Sequence, residues 1–196
     1  AKFETTGVNT FKTFSPIATE QYILTPAPKA EPKITGAKVF GVRPGSPFQF
    51  LVTATGDRPM TFSASGLPKG LNINTQTGLI TGKISKGGTS IVTLEAKNAK
   101  GKFQRKLRIE CGDQIALTPP MGWNSWNCFA QEVSADKVKR AADAMVKSGL
   151  INHGWTYINI DDFWENNRDS KDQSLRAEFR DAAGKIITNS TSSCVW

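Results

Sequence analysis

Apolar and polar residues alternate through the first half of the chain, and the period then changes. Phe48, Phe50 and Val52 alternate with Gln49, Leu51 and Thr53. Val92, Leu94 and Ala96 repeat the pattern, and so do Phe103, Leu107 and Ile109. A period of two places each set on one face of a half-buried strand. Asn98-Ala99-Lys100-Gly101 and Thr75-Gln76-Thr77-Gly78 fall between such runs and read as turns. Six or seven short strands over about 80 residues predict an antiparallel sandwich across residues 33–112. Residues 1–32 carry Ser15-Pro16 and Thr25-Pro26-Ala27-Pro28 with little periodicity, and read as a linker or the tail of an upstream module.

After Ile115-Ala116-Leu117 the pattern is that of an α/β segment. Thr118-Pro119-Pro120 imposes an extended lead into Met121-Gly122-Trp123-Asn124-Ser125-Trp126-Asn127. Ser134 can cap a helix with Asp136 in its first turn, Val138, Ala141, Ala142, Met145 and Val146 on one face, and Gly149 as the stop. Tyr157-Ile158-Asn159-Ile160 then forms a second apolar run, followed at once by Asp161-Asp162-Phe163-Trp164. Strand, helix, strand with short connections predicts a βαβ unit with parallel strands. The whole is therefore a multidomain chain, an all-β sandwich followed by a βαβ portion over residues 113–196.

Composition adds exclusions. The chain has 196 residues and no apolar run long enough for a membrane span. Three cysteines, Cys111, Cys128 and Cys194, are too few and scattered for a disulfide scaffold or a structural zinc site, and a single histidine, His153, excludes two-histidine chemistry. The chain begins at Ala1 without a signal peptide, which reads as a processed or excised chain. The net charge of +8 divides into 16 basic against 6 acidic residues over 1–112, and 9 against 11 over 113–196. The basic half carries no nucleic-acid motif, and its Lys and Arg alternate along strand-like runs as on a solvated sheet face. No nucleic-acid partner is expected.

In parallel sheets chemistry gathers at the carboxyl ends of the strands. Trp126 falls at the end of the first strand and Asp161 and Asp162 at the end of the second. An indole face and two carboxylates at one mouth suit a sugar, whose C–H face packs on the ring while its hydroxyls donate to the acids. The structural alternative places Trp123 and Trp126 in a core. An acidic pair at a strand end also resembles a Mg²⁺ site for phosphoryl transfer, but no Gly-rich phosphate loop or Walker-type lysine accompanies it. His153 lies in the helix-to-strand loop and reads as a packing residue, as does Trp155.

Two resemblances can be named on these residues. Gly66-Leu67-Pro68-Lys69-Gly70-Leu71 with Thr77-Gly78-Leu79-Ile80-Thr81-Gly82 resembles the immunoglobulin-like domain of bacterial surface and secreted polysaccharide-degrading proteins. Thr118 to Asn127 together with Asn159 to Trp164 resembles the start of a family 27 glycoside hydrolase, the α-galactosidase (melibiase) family. The second resemblance implies a retaining hydrolase of terminal α-galactosides built on a (β/α)₈ TIM barrel, with neither metal nor organic cofactor. It implies that Trp126 stacks on the galactose ring and that Asp161 and Asp162 hold its 4- and 6-hydroxyls. It also implies a galactoside oligosaccharide or polysaccharide as partner, and a periplasmic or extracellular location.

Two departures from the family are visible. Many members pair cysteines at the positions of Gln131 and Phe163, so that disulfide is missing here and Phe163 is expected to pack instead. A complete barrel takes about 250 residues, and only about 80 follow the sandwich. The family's nucleophile and acid/base lie on later strands, and Asp161 and Asp162 diverge from an extended backbone, unlike the opposed carboxyls about 5 Å apart that retention needs. The expectation is an incomplete barrel that holds half of a sugar site and is itself inactive. A non-catalytic carbohydrate-binding or spacer module, and an α-N-acetylgalactosaminidase, are the alternatives.

Overall fold

A computed structural model describes residues 27–188 except 170, 172, 174, 175 and 179. The linker reading of residues 1–26, the tail after Thr188 and Cys194 lie outside the described residues.

The first half is a sandwich of nine strands: β1 (Lys33–Ile34), β2 (Val39–Val42), β3 (Pro47–Leu51), β4 (Ala54–Thr55), β5 (Thr61–Ser65), β6 (Leu71–Ile73), β7 (Leu79–Lys83), β8 (Gly88–Asn98) and β9 (Gly101–Cys111). One sheet has the order β2-β9-β8-β5 and the other β3-β7-β6, with β1 paired to β4. The alternating residues point inward as their period requires. Val92, Leu94, Ala96, Leu107 and Ile109 are wholly buried against Phe48, Phe50 and Ile80 of the facing sheet. Cys111 is buried and free at the edge of this core.

Both expected turns form, each locked by an asparagine. Asn98 Oδ1 accepts from the N–H groups of Lys100 and Gly101, and Asn74 Oδ1 accepts from those of Gln76 and Thr77. In the Gly66–Gly82 motif, β6 and β7 cross so closely that a Cβ on Gly82 would overlap the Gly70 carbonyl.

The sandwich departs from the expected purely antiparallel form, because β2 pairs in parallel with β9. The cause is the path of the first strand. After β1 pairs with β4, the chain bends at Gly36 (φ +78°) and crosses to the other sheet, where it runs beside the last strand. Arg105 sews the bend by donating to the carbonyls of Ile34, Thr35 and Ala37 at 3.2, 2.6 and 3.0 Å. This split, with the break between β3 and β4, brings the strand count to nine among the described residues, against the six or seven that periodicity suggested.

The second half is the expected βαβ unit. β10 (Gly122–Asn124) and β11 (Tyr157–Asn159) are parallel, in the register Gly122 to Tyr157, Trp123 to Ile158 and Asn124 to Asn159. Between them lie a short helix α1 (Trp126–Phe129) and the longer α2 (Ala135–Lys147). Ser134 Oγ accepts from Lys137 N–H at the start of α2, with Asp136 in the first turn and Lys147 in the last, as the helix dipole favours. Gly149 takes a left-handed conformation (φ +79°) and ends the helix. Val138 and Met145 are buried, but Val146, expected on the same face, is 58% exposed. It lies one residue past Met145, about 100° further round the helix. Trp123, Ile158, Ile160 and Trp164 pack on Val133 and Val138 to form a small separate core. Trp155, expected to pack, stands 37% exposed just after the left-handed Gly154.

Candidate carbohydrate site at the ends of two parallel strands

The register of β10 and β11 brings their carboxyl ends level, and short polar side chains tie the two ends together. Ser125, wholly buried, donates its N–H to the Asn159 carbonyl at 3.1 Å, and its Oγ accepts from Asp161 N–H at 2.9 Å. Asn159 Nδ2 donates back to the Trp123 carbonyl at 3.2 Å. These bonds satisfy backbone groups that the ends of a three-residue pair would otherwise leave open.

Asn124 then links the two sequence-predicted elements of the site. Its Oδ1 accepts from Trp126 N–H at 2.9 Å, and its Nδ2 donates to Asp161 Oδ2 at 2.9 Å. Trp126 thus opens α1 directly beyond β10 instead of ending the strand, and it remains 38% exposed. Asp161 is half-buried and Asp162 exposed. Asp162 N–H donates to Asp161 Oδ1 at 2.9 Å, and Phe163 N–H to Asp162 Oδ1 at 2.8 Å. This local folding turns the chain sharply and leaves Phe163 at φ +70°, a conformation few side chains other than Asn and Asp tolerate. The turn carries the Phe163 ring to the Trp126 ring, with centroids 5.9 Å apart and planes tilted by 31°. Phe163 therefore packs where the family places a cysteine, while Cys128 is exposed and free.

Among the described residues neither aspartate takes an ion pair. Their negative charge is held by amide donors and keeps acceptor capacity for a ligand's hydroxyls. Among the described residues, no three His, Cys, Asp or Glu side chains converge in a group able to hold a metal ion.

Further residues complete the surroundings of the mouth. Trp164 belongs to the small core. Glu165 has a buried Oε2 without a hydrogen-bond partner among the described residues, and its pKa is raised by burial, opposed by a bond from its own backbone N–H and reinforced by the neighbouring Asp162 charge. Asn124 and Ser125 set the geometry, although the sequence marks only the tryptophans of that motif as candidate site or core residues. Two short polar residues at the end of an apolar strand, facing an acidic strand end, were the available signal. His153 lies in the 3₁₀ turn Leu150–His153, at the opposite end of β11 from the acids.

A sandwich of immunoglobulin type is thus followed by a parallel strand pair with an acidic and aromatic mouth. Comparison with known proteins agrees in both halves. Residues 32–110 match the family described as "Putative Ig domain", and residues 118–188 match the family described as "Alpha galactosidase A". The chain thus joins an immunoglobulin-like all-β domain to the start of an alpha-galactosidase barrel region. An alpha-galactosidase of Cyamopsis tetragonoloba is 41% identical over 88 residues, covering 44% of this chain and 21% of that protein. Alpha-galactosidase A of Cellvibrio japonicus is 53% identical over 57 residues, covering 29% of this chain and 14% of its own length. A crystal structure from Bacteroides fragilis, described as a "putative alpha-galactosidase", superposes with a TM-score of 0.72 at 38% identity. It covers 87% of this chain and 34% of its own. A second from the same organism, a "putative alpha-galactosidase/melibiase", gives 0.72 at 40% identity over 84% of this chain and 33% of its own. The chain spans about a fifth or less of these curated relatives and about a third of these structures.

Proposed function

We propose that the mouth of β10 and β11 binds a terminal α-galactosyl group and forms part of an α-galactosidase site. Trp126 offers an aromatic plate for the C–H face of the sugar, and Asp161 and Asp162 accept its 4- and 6-hydroxyls. The observation that carries this reading is the pair of hydrogen bonds made by Asn124, which ties the Trp126 backbone to the Asp161 carboxylate at one strand end. Fixed acceptors bind a polyol better than mobile ones, because less side-chain freedom is lost on binding.

The 196 residues alone are proposed to bind without hydrolysing. Asp161 and Asp162 are neighbours on one turn, whereas retention needs carboxyls on opposite faces of the scissile bond. The galactoside-binding reading and the catalytic one therefore separate in a single experiment. Methyl α-D-galactopyranoside should shift the backbone amide resonances of residues 124–126 and 161–163, and its 4-epimer, the glucoside, should shift them less. A chromogenic α-galactoside should remain intact. Equal shifts with both epimers would remove the galactose assignment, and turnover would remove the claim of inactivity. A secreted location and a role in carbohydrate metabolism go with this reading.

A further inference from the structure

The sandwich meets the barrel segment at the 3₁₀ turn between α2 and β11, and the contact there is specific. Thr35 Oγ1 lies 2.8 Å from Thr53 Oγ1 and 2.8 Å from the Asn152 carbonyl. A hydroxyl has one proton, so Thr53 donates to Thr35 and Thr35 donates to Asn152. From the other side Arg58 Nη2 donates to Asn152 Oδ1 at 2.6 Å and to the Ala54 carbonyl at 3.1 Å. Asn152 is thus gripped through both its backbone and its side chain, by residues 94 and 117 positions earlier in the chain.

The backbones meet alongside. A Cβ on Gly154 would lie 3.0 Å from Cα and N of Gly36, so this approach needs a glycine on the barrel side. Gly36 is the bend that splits the first strand, and Arg105 fixes that bend from within the sandwich. On the barrel side, the N–H groups of Thr156 and Tyr157 both donate to the Met121 carbonyl, which joins the gripped turn to the feet of β10 and β11.

We propose that the sandwich is a fixed bracket for β11, and that Asn152 is the positioning residue through which it holds that strand. The coverage of the Bacteroides fragilis structures supports this independently. A single superposition over 87% or 84% of this chain spans both halves, so their relative placement is shared at 38% and 40% identity. A spacer free to swing would not keep one placement across such divergence. The inference stands whether or not the mouth binds a galactoside.

The test uses the full chain with Cys128→Ser and Cys194→Ser, carrying spin labels at exposed Lys106 and Lys139 through cysteine substitution. One narrow distance distribution is expected. Asn152→Ala should broaden it and speed exchange of the Ile158 and Asn159 amides by about tenfold or more, while β8 and β9 amides keep their protection. Asn152→Asp retains an acceptor for Arg58 and should restore both readings. A broad distribution in the unsubstituted background, or a narrow one that survives Asn152→Ala, would overturn the bracket. If Asn152→Ala unfolds the barrel segment outright, rescue by Asn152→Asp supports the proposal and failure of that rescue counts against it.

Discussion

Asn124 donates from its side-chain amide to Asp161 Oδ2 at 2.9 Å, across the ends of two parallel strands 37 residues apart in sequence. The same amide accepts from Trp126 N–H, so one side chain sets the spacing between the aromatic and acidic parts of the mouth. Asn124→Ala should free the Asp161 carboxylate and weaken galactoside binding by about tenfold, in line with the 1.5–3 kcal/mol typical of hydrogen bonds to charged groups. Titration of methyl α-D-galactopyranoside followed by amide shifts measures it. Unchanged affinity in a folded Asn124→Ala chain would deny Asn124 this role.

Trp126 and Phe163 separate stacking on a ligand from packing within the protein. Trp126→Ala removes the proposed plate and should cost about 1 kcal/mol or more of sugar affinity, with little change in melting temperature, since the residue is 38% exposed. Phe163→Ala should keep most of the affinity while lowering stability, because it removes the ring that supports the indole. The reverse pattern, with affinity following Phe163 and stability following Trp126, would make Trp126 the structural residue of the two.

Much of this was legible in the chain because it depends on local chemistry. The burial of Val92, Leu94 and Ala96 follows from period two, and the two turns from asparagines that bond their own backbone. The cap at Ser134 and the stop at Gly149 are local as well, and the short connections of a strand-helix-strand unit imply the parallel pair that brings Trp126 toward Asp161. What could not be read depends on long-range placement. The parallel pairing of Val39–Val42 with Arg108–Cys111 requires knowing that the chain changes sheets at Gly36. The grip on Asn152 joins Thr35 to a residue 117 positions away, and no periodicity encodes it. Ser125 and Asn124 look like ordinary loop polars until β11 lies beside them.

Gly122 stands in the first motif for a steric reason. A Cβ there would overlap the carbonyl of Tyr157, its register partner on β11. Gly122→Ala should therefore push the two strands apart, costing about 1–3 kcal/mol as overpacking does. The loss should appear as lowered exchange protection at Trp123, Ile158 and Asn159, with β8 and β9 unaffected. Full protection in the variant would show that the strands yield without cost.

The two halves should differ in local stability. β8 and β9 pair continuously from Gly88 with Cys111 to Asn98 with Gly101 over a fully buried core, whereas β10 and β11 share three pairs over the small Val133 and Val138 cluster. Amides of residues 113–188 should accordingly exchange faster than those of 34–111. Uniform slow exchange would indicate that the barrel segment is stabilised by more than its own core and the Asn152 contact.

Glu165 gives the barrel segment a pH dependence of definite sign. Burial, reinforced by the charge of Asp162, outweighs the bond from its own backbone N–H and raises its pKa above the ordinary glutamate value, so the folded chain holds this proton more tightly than the unfolded chain does. Below the unfolded value of about 4.3 the carboxyl is neutral in both states and costs nothing. As pH rises through the folded pKa, the native state must carry a charge on a partly buried group whose Oε2 has no hydrogen-bond partner, and stability falls. Glu165→Gln removes that charge. Its melting temperature should match the unsubstituted chain near pH 4 and exceed it at pH 7, the gap opening between the two pKa values. A gap that is constant with pH would mean that the amide acts by packing alone, and a gap of opposite sign at pH 7 would mean that the ionised carboxylate is held by a favourable partner.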